Sequence, residues 1–271
     1  GGKELLIERL EATDAMERRM SGGTTKKRER DERSQAEKDE ELLRVCWSGT
    51  LEEVIAAMDA GAKENSVDEE SVSALMKACM RDDWEVAEAI VKELLRRGAR
   101  PTLIDDEGWT ALHWAAEYSS YAIAELVANK TVINQSSLNG DTPLIICCWK
   151  RFDDEGVAIA RMLLDRGANI EHKDTDGDTA LTLACRSSSA AMVELLLARK
   201  ANVNAANNEG STPLMFACYN RMAGESIIPM LIKAGANPLQ KDNDGDTALH
   251  YACGSGGGAI MRAISLIVGL L

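Results

Sequence analysis

Apolar and polar positions recur in one arrangement along most of the chain. A Thr or Ser is followed by Leu two places on and by Ala or Cys five and six places on. Copies of this pattern begin at Ser73, Thr110, Thr142, Thr179, Thr212 and Thr247. Leu at +2 and small residues at +5 and +6 share one face of a helix of period 3.6. A degenerate seventh copy begins at Glu40, with Leu42, Val45 and Cys46 in the same places. Successive starts are 33, 37, 32, 37, 33 and 35 residues apart. A second apolar helix follows each first one, as in residues 191–197. Many copies then close with Gly-Ala (Gly98-Ala99, Gly167-Ala168, Gly235-Ala236). Between copies lies an acid- or Asn-bearing turn with Gly two places before the Thr: Gly108, Gly140, Gly177, Gly210 and Gly245.

Each unit therefore reads as a Thr-capped helix, a second helix ended by a Gly of positive φ, and a projecting turn. No unit of this size can bury its own apolar face, so the units must stack into a solenoid. The two 37-residue spacings predict about one extra turn in the second helix, as at residues 89–97. Thr131 and Lys200 stand where a helix-ending Gly is expected, and Ser71 where a turn Gly is expected.

This pattern resembles the ankyrin repeat. Thr142-Pro143-Leu144 and Thr212-Pro213-Leu214 match the Thr-Pro-Leu-His-x-Ala signature of that family. So do Thr110-Ala111-Leu112-His113 and Thr247-Ala248-Leu249-His250. The resemblance covers residues 40–271 and implies an all-α ankyrin-repeat solenoid of stacked helix-turn-helix units with β-turn fingers. Residues 1–39 form a separate, charged helical or flexible extension.

The register also assigns the cysteines and histidines. Cys46, Cys79, Cys148, Cys185, Cys218 and Cys253 all occupy the +6 column, with Ala116 in the remaining copy, and Cys147 takes a +5 place. Stacked helices lie about 8–10 Å apart, too far for disulfides between column members. The expectation is seven free thiols, six of them in the packed column, in a reducing, intracellular compartment, cytoplasm foremost. His113 and His250 hold the +3 place, where the resemblance implies structural hydrogen bonds near the turn; His172 falls in a loop. Neither His-Glu-x-x-His, nor Cys-x-x-Cys, nor a phosphate-binding Gly-Lys loop occurs. Gly254-Ser255-Gly256-Gly257-Gly258-Ala259 spells a dinucleotide fingerprint in the wrong context, following a helix with no acid to come. No catalytic constellation, cofactor site or metal site is expected, and the chain reads as a non-enzyme.

Charge narrows the class of partner. The 271 residues carry 31 basic and 44 acidic side chains, a formal net charge of −13. Residues 1–39 hold ten of each, so residues 40–271, with 21 basic and 34 acidic, carry the whole excess. An acidic array repels phosphate, which argues against nucleic acid. The longest apolar run, residues 264–271, is too short to span a bilayer. Residues 3–20 have the spacing of an amphipathic helix, with Leu6, Leu10, Met16 and Met20 on one side, and residues 26–41 read as a solvated mixed-charge run. The start at Gly1-Gly2 reads as that of a fragment or processed form. Residues 259–271 are almost wholly apolar, so Ile260, Ile264, Ile267 and Leu271 are expected to face further sequence or another subunit.

What remains is surface. The resemblance implies a concave groove walled by the turn tips and by the +7 and +8 places ending each first helix. There the chain puts Trp47, Met80, Arg81, Glu117, Tyr118, Trp149, Lys150, Arg186, Tyr219 and Asn220. The turn tips supply Asp106, Glu107, Trp109, Asp141, Asp176, Asp178, Asp244 and Asp246. Aromatic anchors beside carboxylates predict a partner segment that is basic with apolar anchors. The expectation is a protein-interaction scaffold, as adaptor or as subunit of a larger assembly. The alternative is the regulatory or targeting domain of a larger enzyme or channel.

Overall fold

The computed structural model describes residues 33–150, 154–220 and 226–254, with only the backbone of Lys150 described. The expectations for the amphipathic segment 3–20 and for Ile260, Ile264, Ile267 and Leu271 lie outside the described residues. The compact unit that holds the array starts at Ser34.

Thirteen helices are described, in two layers. The inner layer is α1 (Gln35–Ser48), α3 (Ala74–Cys79), α5 (Ala111–Tyr118), α7 (Pro143–Lys150), α9 (Ala180–Arg186), α11 (Pro213–Tyr219) and α13 (Ala248–Gly254). The outer layer is α2 (Leu51–Asp59), α4 (Trp84–Arg96), α6 (Tyr121–Val127), α8 (Asp154–Asp165), α10 (Ala190–Ala198) and α12 (Ile227–Lys233). Each inner helix packs on the next inner helix and each outer helix on the next outer one, the order of a solenoid. Among the described residues there is no strand, only the isolated bridges Val67–Ser73 and Lys173–Thr179.

The repeating residues account for this packing. Ser73, Thr179 and Thr212 cap their inner helices through side-chain oxygens. At +2, Leu42, Leu75, Leu112, Leu144, Leu181 and Leu214 are wholly buried, each contributing about 1.5–3 kcal/mol. Ala or Cys at +5 and +6 lets the next inner helix approach, and of these only Cys253, in the last described helix, is exposed. All seven cysteines are free thiols. Burial pushes Cys46 and Cys218 up to about 12 and raises Cys79, Cys148 and Cys185 as well.

The departures from the repeat also have physical causes. The two 37-residue spacings lengthen α4 to 13 and α8 to 12 residues, against 7 to 9 in the other outer helices. Lys200 and Ser71 adopt the positive φ of the Gly each replaces, both at 64°. Thr131 does not. Here α6 ends early, Asn129 Oδ1 accepts from the N–H of Thr131 (2.8 Å) and Val132 (3.2 Å), and Arg166 donates to the carbonyls of Glu125 and Ala128. A guanidinium from the next repeat thus does the work of a capping Gly. Helix α1 begins at Gln35, because Ser34 and Glu37 form a capping box, so the boundary expected after residue 39 falls inside this helix.

Candidate partner-binding clefts

The fingers are built from a column five residues before each cap. Asp105 Oδ1 accepts from the backbone N–H of Glu107 (3.1 Å) and Trp109 (2.8 Å). Ser137, Asp174, Asn207 and Asp242 bind the same two N–H groups of their own fingers. Neighbouring fingers are then joined backbone to backbone: Asp106 to Glu70, Leu138 to Glu107, Thr175 to Asn139, Asn208 to Asp176 and Asn243 to Glu209, at 2.9–3.2 Å. Gly177 is required twice over. Its φ is +80°, and a Cβ there would lie 2.7 Å from the backbone nitrogen of Asn208.

A second column sits eight residues before the cap. The Asn134 side chain donates to the Gly167 carbonyl (3.1 Å) and accepts from the Asn169 N–H (2.7 Å). Asn65 and Asn204 do the same to the loops of the repeats that follow them. With repeats counted in chain order from the copy at Glu40, His113 completes the third. Its Nδ1 accepts from the Thr110 N–H at 3.0 Å, so Nε2 carries the proton and donates to the Asp141 carbonyl at 3.1 Å. Burial lowers this imidazole to about 4, leaving it neutral.

The residue at +4 decides what the finger carboxylate does next. Lys77 reaches Asp68 at 2.6 Å, Trp114 Nε1 donates to Asp105 at 2.8 Å, and the Tyr251 hydroxyl donates to Asp242 at 2.8 Å. In the fifth repeat the +4 residue is Leu183, which offers nothing to Asp174. A cleft of about 570 Å³ opens there, lined by Asn139, Asp141, Trp149, Asp174, Thr175, Asp176, Leu183, Arg186 and Ser187. Trp149 is 41% exposed. Burial raises the Asp174 carboxyl above its ordinary range, partly offset by the N–H groups of Asp178 and Asp176. Asp178 is fully buried below, and Arg186 approaches it at 2.8 Å while lying 4.4 Å above the Phe216 ring. Burial raises Asp178 too, opposed by Arg186 and the Asn207 side chain.

A second cleft, of about 520 Å³, lies at the ends of α1 and α3, lined by Trp47, Ser48, Met80, Arg81, Asp82, Asp83 and Tyr118. Arg81 is itself buried, donating to both carboxylate oxygens of Asp83 and to the Cys46 carbonyl. That side-on pair holds the Asp83 carboxyl below its usual range. Trp47 and Tyr118 are 53% and 44% exposed.

Two clefts thus gather Trp47, Met80, Arg81 and Tyr118 in one place and Asp141, Trp149, Asp176 and Arg186 in another. The other expected contact residues are placed differently. Trp109 is only 8% exposed, packed against Trp114 (4.8 Å between rings) and His113 (5.7 Å), so it is a core residue instead of a groove anchor. Asp178 is buried under Arg186. Glu117 is half-buried; Asp106, which accepts from the Ser71 hydroxyl, and Glu107 are exposed. Tyr219 is exposed at 64%, edge-on to Tyr251, and Asn220 donates to the Arg186 carbonyl. Asp244 and Asp246 are exposed on the last described finger. The side chain of Lys150 lies outside the described residues. Sequence reasoning missed Asp174, Asp82 and Asp83. For Asp174 the signal was present, since every place five before a cap from Asp68 to Asp242 holds Asp, Asn or Ser.

Among the described residues, no helix is long and apolar enough to cross a membrane, and no cluster of His, Cys, Asp or Glu could hold a metal ion. No curated protein sequence matches the chain. Two solved structures are similar. One is the ankyrin repeat domain of Bcl-3, described as a unique member of the IkappaB protein family. It is 25% identical with a TM-score of 0.66, over 83% of this chain and 97% of that one. The other is the human ASB11 ankyrin repeat domain, 24% identical with a TM-score of 0.71, over 83% and 96%; at that identity it bears on the fold alone. The family model "Ankyrin repeats (3 copies)" matches residues 42–136, 86–174, 154–242 and 206–265, and the chain belongs to the ankyrin-repeat family.

Proposed function

We propose that this array is a non-catalytic scaffold that binds a protein segment carrying basic side chains beside an apolar anchor, with the cleft between the fourth and fifth repeats as its principal site. Ankyrin repeats are in general protein-interaction modules; the local chemistry supports the finer reading. The observation that carries it is one cleft with an exposed indole, Trp149, beside three carboxylates, Asp141, Asp174 and Asp176. A rigid ring offers a large contact area at small entropic cost. Its acidic neighbours attract a cation, and the burial of Asp141 and part-burial of Asp174 strengthen the pairing. Among the described lining residues the one cation, Arg186, is engaged by Asp178.

The test is direct titration with fluorescein-labelled synthetic peptides containing Arg-Trp-Lys, with Glu-Trp-Glu as the charge-reversed control. The basic peptide should bind, more weakly at higher salt, and Trp149→Ala and Asp176→Asn should each cost about tenfold, or about 1.4 kcal/mol. Equal binding of the acidic control, or unchanged affinity in both variants, contradicts the reading.

A further inference from the structure

Resting on that reading, we infer that the partner is held at two points, by an extended segment bearing two cation-plus-apolar anchors about eight residues apart. The two clefts share a chemistry: each places exposed aromatic rings and carboxylates around one concavity. At the first, Trp47 and Tyr118 line the cleft with Asp82, which stays exposed while the neighbouring Asp83 is taken up by Arg81. At the second, Trp149 lines it with Asp141, Asp174 and Asp176.

The third repeat lends Tyr118 to the first cleft, and its Trp109–Trp114 pair is closed. Trp114 stacks between Trp109 (4.8 Å) and Tyr118 (6.0 Å, 23° between planes), and its N–H is bound to Asp105. The place that is open in the fifth repeat is filled here by an indole. A continuous apolar trough would suit a helix laid along it; two sockets with a wall between them suit a strand-like segment that touches down twice. The first cleft is centred on α3 and the second lies between α7 and α9, about two and a half repeats on. At about 10 Å per stacked helix the separation is about 25 Å. An extended chain covers it with about seven or eight residues at about 3.3–3.6 Å each.

Such a partner gains affinity by avidity, and only if its spacer spans the sites. The experiment uses labelled peptides with one Arg-Trp-Lys anchor, or with two whose tryptophans stand four, eight or twelve residues apart in a Gly/Ser chain. Separations of eight and twelve should bind at least tenfold tighter than four, and four no tighter than about twofold over the single anchor. The double variant Trp47→Ala/Tyr118→Ala should abolish that gain and leave single-anchor binding at Trp149 intact, with circular dichroism unchanged. A gain that is independent of separation, or that survives the double variant, overturns the two-point inference while the single-site reading stands. Failure of the single-anchor peptide to bind at all overturns both.

Discussion

Asp105 and Asp174 occupy the same place in their repeats, and each fixes its finger through the same pair of backbone N–H groups. They differ in what faces the second carboxylate oxygen. In the third repeat it is the indole of Trp114, which closes the surface into an aromatic stack. In the fifth it is the neighbourhood of Leu183, and the carboxylate is left lining a cleft. One residue at +4 therefore converts the same finger from a structural joint into a wall of a cleft. The solenoid fixes where side chains stand, and local pairing fixes which of them remain available.

Deleting each carboxylate should separate the two repeats by the widest margin. Asp105→Ala removes two turn bonds and leaves the Trp114 N–H unpaired, and should cost about 3–4 kcal/mol. Asp174→Ala removes the turn bonds alone, so its cost should be about 1–2 kcal/mol smaller. Urea denaturation followed by tryptophan emission measures both. Equal costs would mean that the Trp114 bond contributes nothing.

The third repeat should also be the pH-sensitive joint, because His113 ties it to the fourth finger, whereas Thr182 holds that place in the fifth repeat. The imidazole titrates at about 4 when folded against about 6.5 unfolded. Its contribution is complete above pH 6.5 and is lost as pH falls toward 4, up to about 3 kcal/mol. Asp174 and Asp178, raised by burial, act in the opposite sense at lower pH, holding protons more firmly in the folded state. His113→Gln should flatten the loss between pH 6.5 and 4. Parallel stability curves for the two proteins would refute this.

Smaller again is the contrast between two glycines of similar φ. Gly177 abuts the next finger, and Gly235 has open space where a Cβ would go. Gly177→Ala should cost about 2–3 kcal/mol and Gly235→Ala about 1 kcal/mol. Thermal denaturation of the pair would separate close approach from backbone strain. The smallest effect is chemical: with a thiol reagent, Cys253 should react at once and the six buried thiols only on unfolding.

The fold was legible in the chain because its determinants are periodic. Leu at +2, small residues at +5 and +6 and Gly before the cap repeat often enough to set a register, and even the longer α4 and α8 follow from spacing. The +7 and +8 aromatics were legible as surface for the same reason. Trp109 was not, because its exposure depends on Trp114 and His113, contacts peculiar to one repeat. Asp174 shares its place with Asp105, and only the residue at +4 separates an open carboxylate from a bonded one. Arg166 capping α6 lies beyond periodic reasoning altogether, since it corrects a defect in the preceding repeat from one turn of the next.

On the proposed function, the +4 residue decides whether a finger carboxylate is available to a partner. Leu183→Trp gives the fifth repeat the residue that closes the third. The new indole N–H should bind Asp174, affinity for the Arg-Trp-Lys peptide should fall at least tenfold at the Trp149 cleft, and helical content should be retained. Undiminished peptide affinity in a folded Leu183→Trp protein would contradict it.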